Sequence, residues 1–332
     1  MTDWTVPLEW LLEADSPAVR YLALRDLMDR PANDPDLVDA RSAAMASEPI
    51  APILAAQHPE GYSIKAGAGY GPKYSGTVWT VIFLDQMGAD GADGLVRAAC
   101  EYVLEHTQAS NGGFGPSQSP GIPPPSSTIH CLTGNLLRAL IGFGWLEDPR
   151  VRSAVDWETT MIAAHGVERF YATTPGPGFR CGYNGGQPCA WGATKAVLAL
   201  ARIPAGRRSP ETEQALRVGI EFLLACNPAT AAYPTAEPGA QPSGSWFKLG
   251  FPVGYITDVL QTLEALCEAG AAGDPRLVPA MEWLVAQRDA EGRWASRHTY
   301  QGKMIRDIDR AGEPSKWVTL RASRVLKAFA QA

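Results

Sequence analysis

The chain has 332 residues, a formal charge of −6, 45% apolar and 19% charged side chains. Without a basic surface or any lysine- or arginine-rich run, the composition excludes nucleic acid as a partner. No apolar stretch approaches the ~20 residues needed to span a bilayer, and Met1-Thr2-Asp3-Trp4 lacks the features of a secretory leader, so the expected location is the cytoplasm.

Six cysteines in so long a chain do not make a disulfide scaffold; in a reducing compartment they are expected as thiols or ligands. The 33 glycines and 27 prolines predict many element ends, and ten tryptophans predict a large aromatic surface in a core or around a cavity.

A unit of roughly 50 residues recurs along the chain. Each copy has an acidic or Asp-Pro start, an amphipathic helix, a Gly-aromatic loop, and a second, more apolar helix. Val6 to Leu12 and Ser16 to Asp29 form the first pair. Asp34-Pro35 then opens a helix running toward Gln57 and Tyr62, followed by Thr77 to Met87. Ala92 to Gln108 leads through Asn111-Gly112-Gly113-Phe114 to Ser126 through Phe143. Asp148-Pro149 leads past Trp157 to His165, and then by a long loop to Cys189 through Arg202. Ser209-Pro210 leads to Cys226-Asn227 and on to Phe251 through Glu268. Asp274-Pro275 leads to Gln287 and Trp294, then to Lys316 through Phe329.

Ser or Asp before Pro is an N-cap with proline at the first helical position, where its missing N–H costs nothing. Leu95, Ala98, Ala99, Tyr102 and Val103 form one apolar stripe, as on a surface helix, whereas Thr194 through Ala201 is apolar nearly all round, as in a buried one. One helix of each kind per repeat predicts an outer ring around an inner ring. The expected fold is all-α: a single (α/α)6 toroid over residues 1–332, with a working site in an apolar cavity where the inner helices begin.

The turns Asn111-Gly112-Gly113-Phe114 and Gln287 through Trp294 resemble the Q-x-x-x-G-x-W repeats of squalene/hopene cyclases and protein prenyltransferase β subunits. That resemblance implies an α/α toroid handling isoprenoid chains in a central cavity. Two departures qualify it. The cyclase acid motif Asp-x-Asp-Asp is represented only by Asp307-Ile308-Asp309-Arg310, whose arginine is expected to hold the carboxylates ionised in a loop ion pair. The prenyltransferase zinc pattern is not reproduced in order, which speaks against protein prenylation.

Cys131, next to His130, falls in the first turn of one inner helix; Cys189 starts the next, and Cys181 lies just before it. Neighbouring inner helices present their N-termini side by side, so these groups are expected to converge. A helix N-terminus stabilises a thiolate as nucleophile, base or ligand. Two versions stay open beside plain packing. In one the thiols act directly with an acid, which resembles linalool dehydratase-isomerase in its cysteine pair and upstream histidine. In the other Cys131, Cys181 and Cys189 bind Zn2+, which is similar to the lanthionine-cyclase toroids.

Asp258, read as one to two turns inside an apolar helix with Tyr255 on its face, is either a general acid raised by desolvation or a carboxylate paired with a lysine or arginine across the ring. Trp79, Trp191, Trp246, Phe251 and Trp317 are candidate walls for a developing carbocation, and the Tyr70–Tyr74 loop a candidate lid. Lys195 and Lys316 are expected as counter-ions for Asp258 or for a substrate oxygen. Together these residues point to a lyase or isomerase acting by acid–base chemistry on a small, largely apolar substrate. The rivals are a zinc enzyme using the cysteines as ligands, and a non-catalytic toroid that binds a hydrophobic ligand or peptide.

Overall fold

The computed structural model describes residues 5–117, 121–163, 178–237 and 239–332; His165, expected at the end of one outer helix, lies outside them. Among the described residues, thirteen α-helices and five short 3-10 helices account for the regular structure, with isolated bridges but no strands. The fold is all-α. No described helix is long and apolar enough to cross a membrane.

The helices are α1 (Leu8–Leu11), α2 (Pro17–Asp26), α3 (Pro35–Met45), α4 (Ile50–Ala55), α5 (Thr77–Gln86), α6 (Gly94–His106), α7 (His130–Gly142), α8 (Pro149–Ala163), α9 (Ala190–Ala201), α10 (Pro210–Leu224), α11 (Val259–Glu268), α12 (Val278–Val285) and α13 (Lys316–Ala330). Helices α5 and α9 are buried along almost every residue. Packing runs α5–α7–α9–α11–α13–α2, and α3, α6, α8, α10 and α12 pack against this set. At the remaining junction Gly88, just past α5, lies against Leu22 of α2.

The recurring loop has a physical basis. Gln57 pairs with Ser63, Gln108 with Phe114 and Arg288 with Trp294 as isolated antiparallel bridges. The amides of Gln57 and Gln108 donate to the carbonyls of Gly61 (3.0 Å) and Gly112 (2.8 Å). The backbone N–H of Ser63, Phe114 and Trp294 then donates to the hydroxyl of Thr77, Thr133 and Thr319 on α5, α7 and α13. Each loop is thereby bolted to the helix that follows it. Gly112 is required twice over, by its φ of +92° and because a Cβ there would sit 2.5 Å from the Ser153 carbonyl oxygen.

Some expected elements change. The segment from Phe251 is not helical up to Asp258; α11 begins at Val259, with Asp258 as its N-cap accepting from the Gln261 N–H at 2.7 Å. Pro252 and Gly254 oppose helix in this stretch, and its apolar run reports burial rather than conformation. Similarly, the helix expected from Asp34-Pro35 toward Gln57 is broken into α3 and α4.

The packing of α7 against α9 is tight at Gly134, where a Cβ would lie 2.5 Å from the Lys195 carbonyl carbon and 2.7 Å from the Ala196 nitrogen. Backbone cannot step aside as a side chain can. Gly134→Ala is therefore expected to destabilise by about 1–3 kcal/mol through overpacking, read as a lower urea midpoint; an unchanged midpoint would mean that the two helices separate without cost.

Candidate active site

Helices α7 and α9 start side by side without side-chain caps, with Ile129 and Cys189 in the cap positions, whereas α3, α6, α10, α11 and α13 are capped by Asp or Ser. The first-turn N–H groups at this rim therefore favour negative charge. All six cysteines are free thiols.

The cysteines respond in opposite ways. Cys189 beside it, hydrogen-bonding to the thiolate, lowers the pKa of Cys181 to about 6. The same contact, with burial added, raises Cys189 well above the ordinary thiol value. Burial pushes Cys131 up to about 12, and both neighbouring cysteines are within electrostatic reach. Cys181 and Cys189 line a pocket of about 280 Å³ together with Tyr183, Trp191, Tyr233 and Trp246. Trp246 lies 6.3 Å from Trp191 and 5.2 Å from Tyr233, ring centre to ring centre.

Lys195 extends from α9 into the interior behind the thiols and is fully buried. Its Nζ donates to the Thr257 hydroxyl and, at 2.6 Å, to Oε1 of Gln261. Neither acceptor carries charge, and burial lowers its pKa to about 7. Lys195 is thus not the direct counter-ion of Asp258. Tyr255 stacks on Tyr70 at 6.3 Å, edge-on to Trp79 at 5.1 Å, and burial raises the pKa of both phenols. The structure thus brings together Cys131, Cys181, Cys189, Lys195, Tyr70 and Tyr255, with Trp191 and Trp246 on the pocket wall.

His130 is buried beside this group, its Nδ1 2.7 Å from Oε1 of Glu158 on α8. Burial raises the Glu158 pKa, opposed by the histidine. Glu158 was not among the sequence candidates. Its signal was available: with Val151, Ala154, Val155 and Ile162 it falls on the buried stripe of α8, where an ionisable group needs a partner.

Other expectations are corrected. Asp258 accepts from the N–H of Gly250 and Gln261 and, at 3.2 Å on each oxygen, from the Arg321 guanidinium. Two backbone N–H groups and the guanidinium occupy both oxygens, which is the arrangement of the ion-paired alternative. Lys316 pairs with Glu13 and Asp15 instead of with Asp258 or a buried ligand. Among the described residues no group of three His, Cys, Asp or Glu side chains is arranged to hold a metal ion, so the geometry lends the Zn2+ reading of Cys131, Cys181 and Cys189 no support.

The aromatic candidates divide. Trp79 is fully buried with its indole N–H on the Tyr70 carbonyl at 2.9 Å, and Trp317 is stacked face to face on Phe251 at 4.4 Å; all three belong to the core. The Tyr70–Tyr74 loop is pinned, with Tyr74 stacked on Tyr300 at 3.9 Å. In the Asp307–Arg310 segment, Asp307 accepts from the Gly302 N–H and Asp309 from the Ser315 hydroxyl. Burial raises the Asp309 pKa, against the lowering expected from Arg310.

A second cavity, of about 450 Å³, is lined from α2, α5, α7, α9, α11 and α13 and by Phe251 and Val253 before α11. It is polar rather than apolar: Arg138 forks onto Glu268 at 2.6 and 2.8 Å, Arg202 meets Asp85 at 3.1 Å, and Arg321 meets Glu264 at 2.7 Å. The expected apolar character lies instead in the smaller aromatic pocket at the thiols.

No protein-family model matches the sequence, and no curated protein matches it. Among solved structures the chain is similar to a protein from Actinoplanes, at 15% identity over 87% of this chain and 99% of that one, with a TM-score of 0.37. It is similar to a polysaccharide lyase at 12% identity over 95% and 90%, with a TM-score of 0.47. It is also similar to the type II terpene cyclase MstE from Scytonema at 13% identity over 88% and 99%, with a TM-score of 0.30. Likeness at this level carries neither chemistry nor substrate to this chain.

Proposed function

We propose that the chain is a single α/α toroid and a lyase or isomerase that dehydrates, hydrates or cyclises a small, largely apolar, isoprenoid-like substrate. One observation carries this reading: the paired thiols Cys181 and Cys189, pushed to opposite protonation states inside an aromatic-walled pocket. Two titratable groups driven apart in this way constitute an acid and a base.

For dehydration of an alcohol, Cys189 donates its thiol proton to the leaving hydroxyl, which departs as water. The Cys181 thiolate takes a proton from the adjacent carbon, and that C–H pair becomes the new double bond. The proton then returns from Cys181 to Cys189 across their contact, restoring both. The faces of Trp191 and Trp246 favour the cationic character that develops as the C–O bond breaks. Tyr70 and Tyr255 remain protonated and supply neutral donors beside the thiols.

The test is product analysis with short prenyl alcohols and diphosphates in deuterated water. Wild type is expected to give alkene or isomer, with solvent deuterium in isomerised material. Cys181→Ser is expected to lose 10²- to 10⁴-fold in turnover, the range general for a positioned acid or base. The rate should rise with pH through about 6, where Cys181 becomes thiolate, and fall only in alkaline solution as Cys189 ionises. Inertness toward every such substrate, or equal turnover by Cys181→Ser, would remove the proposal.

A further inference from the structure

Cys181 and Cys189 bracket a hairpin. Arg180 and Pro188 form an antiparallel bridge, the Cys181 N–H donates to the Gln187 carbonyl at 3.1 Å, and the Cys189 N–H donates to the Phe179 carbonyl at 2.9 Å. The period of two along paired strands puts residues 181 and 189 on one face, as diagonal neighbours. The turn between them is fixed. Asn184 and Gly186 N–H groups donate to the Cys181 carbonyl, and the Asn184 amide donates to the Pro188 and Pro234 carbonyls at 2.9 and 3.0 Å. Both thiols line a pocket whose rim includes Tyr183, 85% exposed, so small solutes reach them from solvent.

We propose that this pair is a hydroperoxide-reactive modification site, in which Cys181 is oxidised to a sulfenic acid and Cys189 condenses with it to a disulfide. In the first step the Cys181 sulfur attacks an oxygen of the hydroperoxide. An S–O bond forms, the O–O bond breaks, and the remaining oxygen leaves as an alcohol, or as water from hydrogen peroxide, after taking one proton. In the second step the Cys189 sulfur attacks the sulfenic sulfur. The S–S bond forms, the S–O bond breaks, and hydroxide leaves with the Cys189 proton as water. Two electrons pass from the thiols to the peroxide.

The other thiols do not compete. Cys100, Cys131, Cys226 and Cys267 all have pKa values raised by burial, and only Cys181 of the six is lowered. A low-pKa, solvent-reachable thiol beside a second, resolving thiol is the arrangement that oxidises selectively. The oxidation involves the thiols alone, whatever the pocket binds.

The test treats the reduced full-length protein with hydrogen peroxide and reads intact mass and peptide maps. Wild type is expected to lose two hydrogens, yield a cross-linked peptide joining residues 181 and 189, and regain them with dithiothreitol. Cys181 should react at least about tenfold faster than the four cysteines outside the pair. Cys189→Ser should stop at the sulfenic acid, trapped on Cys181 by dimedone, and Cys181→Ser should resist the same dose. Six thiols surviving in wild type, a disulfide joining another pair, or wild-type peroxide consumption by Cys181→Ser would overturn the proposal. If Cys181→Ser fails to fold, the position of the dimedone adduct in Cys189→Ser decides. None of these readouts involves turnover, so they stand or fall apart from the acid–base reading.

Discussion

Arg321→Met is expected to lower the unfolding free energy by about 3–5 kcal/mol, the range for removing one partner from a buried ionic group. Arg321 is 3% exposed and donates to three acceptors: the Gly250 carbonyl at 2.7 Å, both Asp258 oxygens at 3.2 Å, and Glu264 at 2.7–3.2 Å. Methionine keeps much of the stem's apolar packing but leaves two carboxylates facing one another with their cation gone. Asp258 retains its two backbone donors, whereas Glu264 loses its guanidinium partner. Urea unfolding monitored by far-ultraviolet circular dichroism measures the loss. The triple variant Arg321→Met, Asp258→Asn, Glu264→Gln should recover most of it, since the stranded charges are then absent. A single variant as stable as wild type would mean that the triad does not hold α11 to α13. The same series separates the two readings of Asp258: a carboxylate that ties a helix start to its neighbour costs stability when neutralised, whereas a proton donor costs turnover in a protein that unfolds normally.

The residues that determine backbone geometry were the ones the sequence disclosed. Gln108, Gly112 and Phe114 recur because a tight loop needs a side-chain amide on its own carbonyl, a left-handed glycine, and an N–H delivered to a threonine on the next helix. Such needs leave a residue-type signature. The proximity of the cysteines follows from the same reasoning, since Cys131 and Cys189 stand at the starts of adjacent helices. Their opposed protonation does not, because it depends on a hairpin that no periodicity announces.

Asp258 was misplaced because a continuous apolar run looks alike whether it is helical or irregular and buried. The correcting signal was local, a carboxylate three residues before Gln261, which is the spacing of an N-cap. The tryptophans show a different limit. Trp79 and Trp191 both lie near the start of a buried helix, yet one is sealed in the core and the other borders a pocket. That distinction arises from what packs above each ring, here Tyr70 over Trp79, and it depends on residues remote in sequence or in loops of irregular path.

Lys195→Met should change the pH dependence of stability more than any other single replacement at the candidate site. The lysine's folded pKa is about 7 against an ordinary value of 10.5. Between those limits the unfolded chain carries a proton that the folded one does not, so wild-type stability rises with pH across the window. Below about 7 both states are protonated and the penalty is fully present; above 10.5 it is gone. At 1.36 kcal/mol per pKa unit the span amounts to roughly 5 kcal/mol. Methionine has no such term. Its stability relative to wild type should therefore be most favourable at pH 7 and below, and should decline steadily toward pH 10. The variant also strands Thr257 and Gln261, a roughly constant cost of about 1–3 kcal/mol that displaces the curve without tilting it. The ionisable groups that act on Lys195 are Cys131, Asp258, Cys189 and Arg321. The two thiols are raised by their surroundings, and the carboxylate and guanidinium are bound to each other, so the lysine is the group of this set whose charge changes near neutrality. Urea midpoints for both proteins from pH 6 to pH 10 test this directly. A difference curve without slope would show Lys195 charged throughout, and Cys131 and Cys189 would then have a buried cation beside them at every pH.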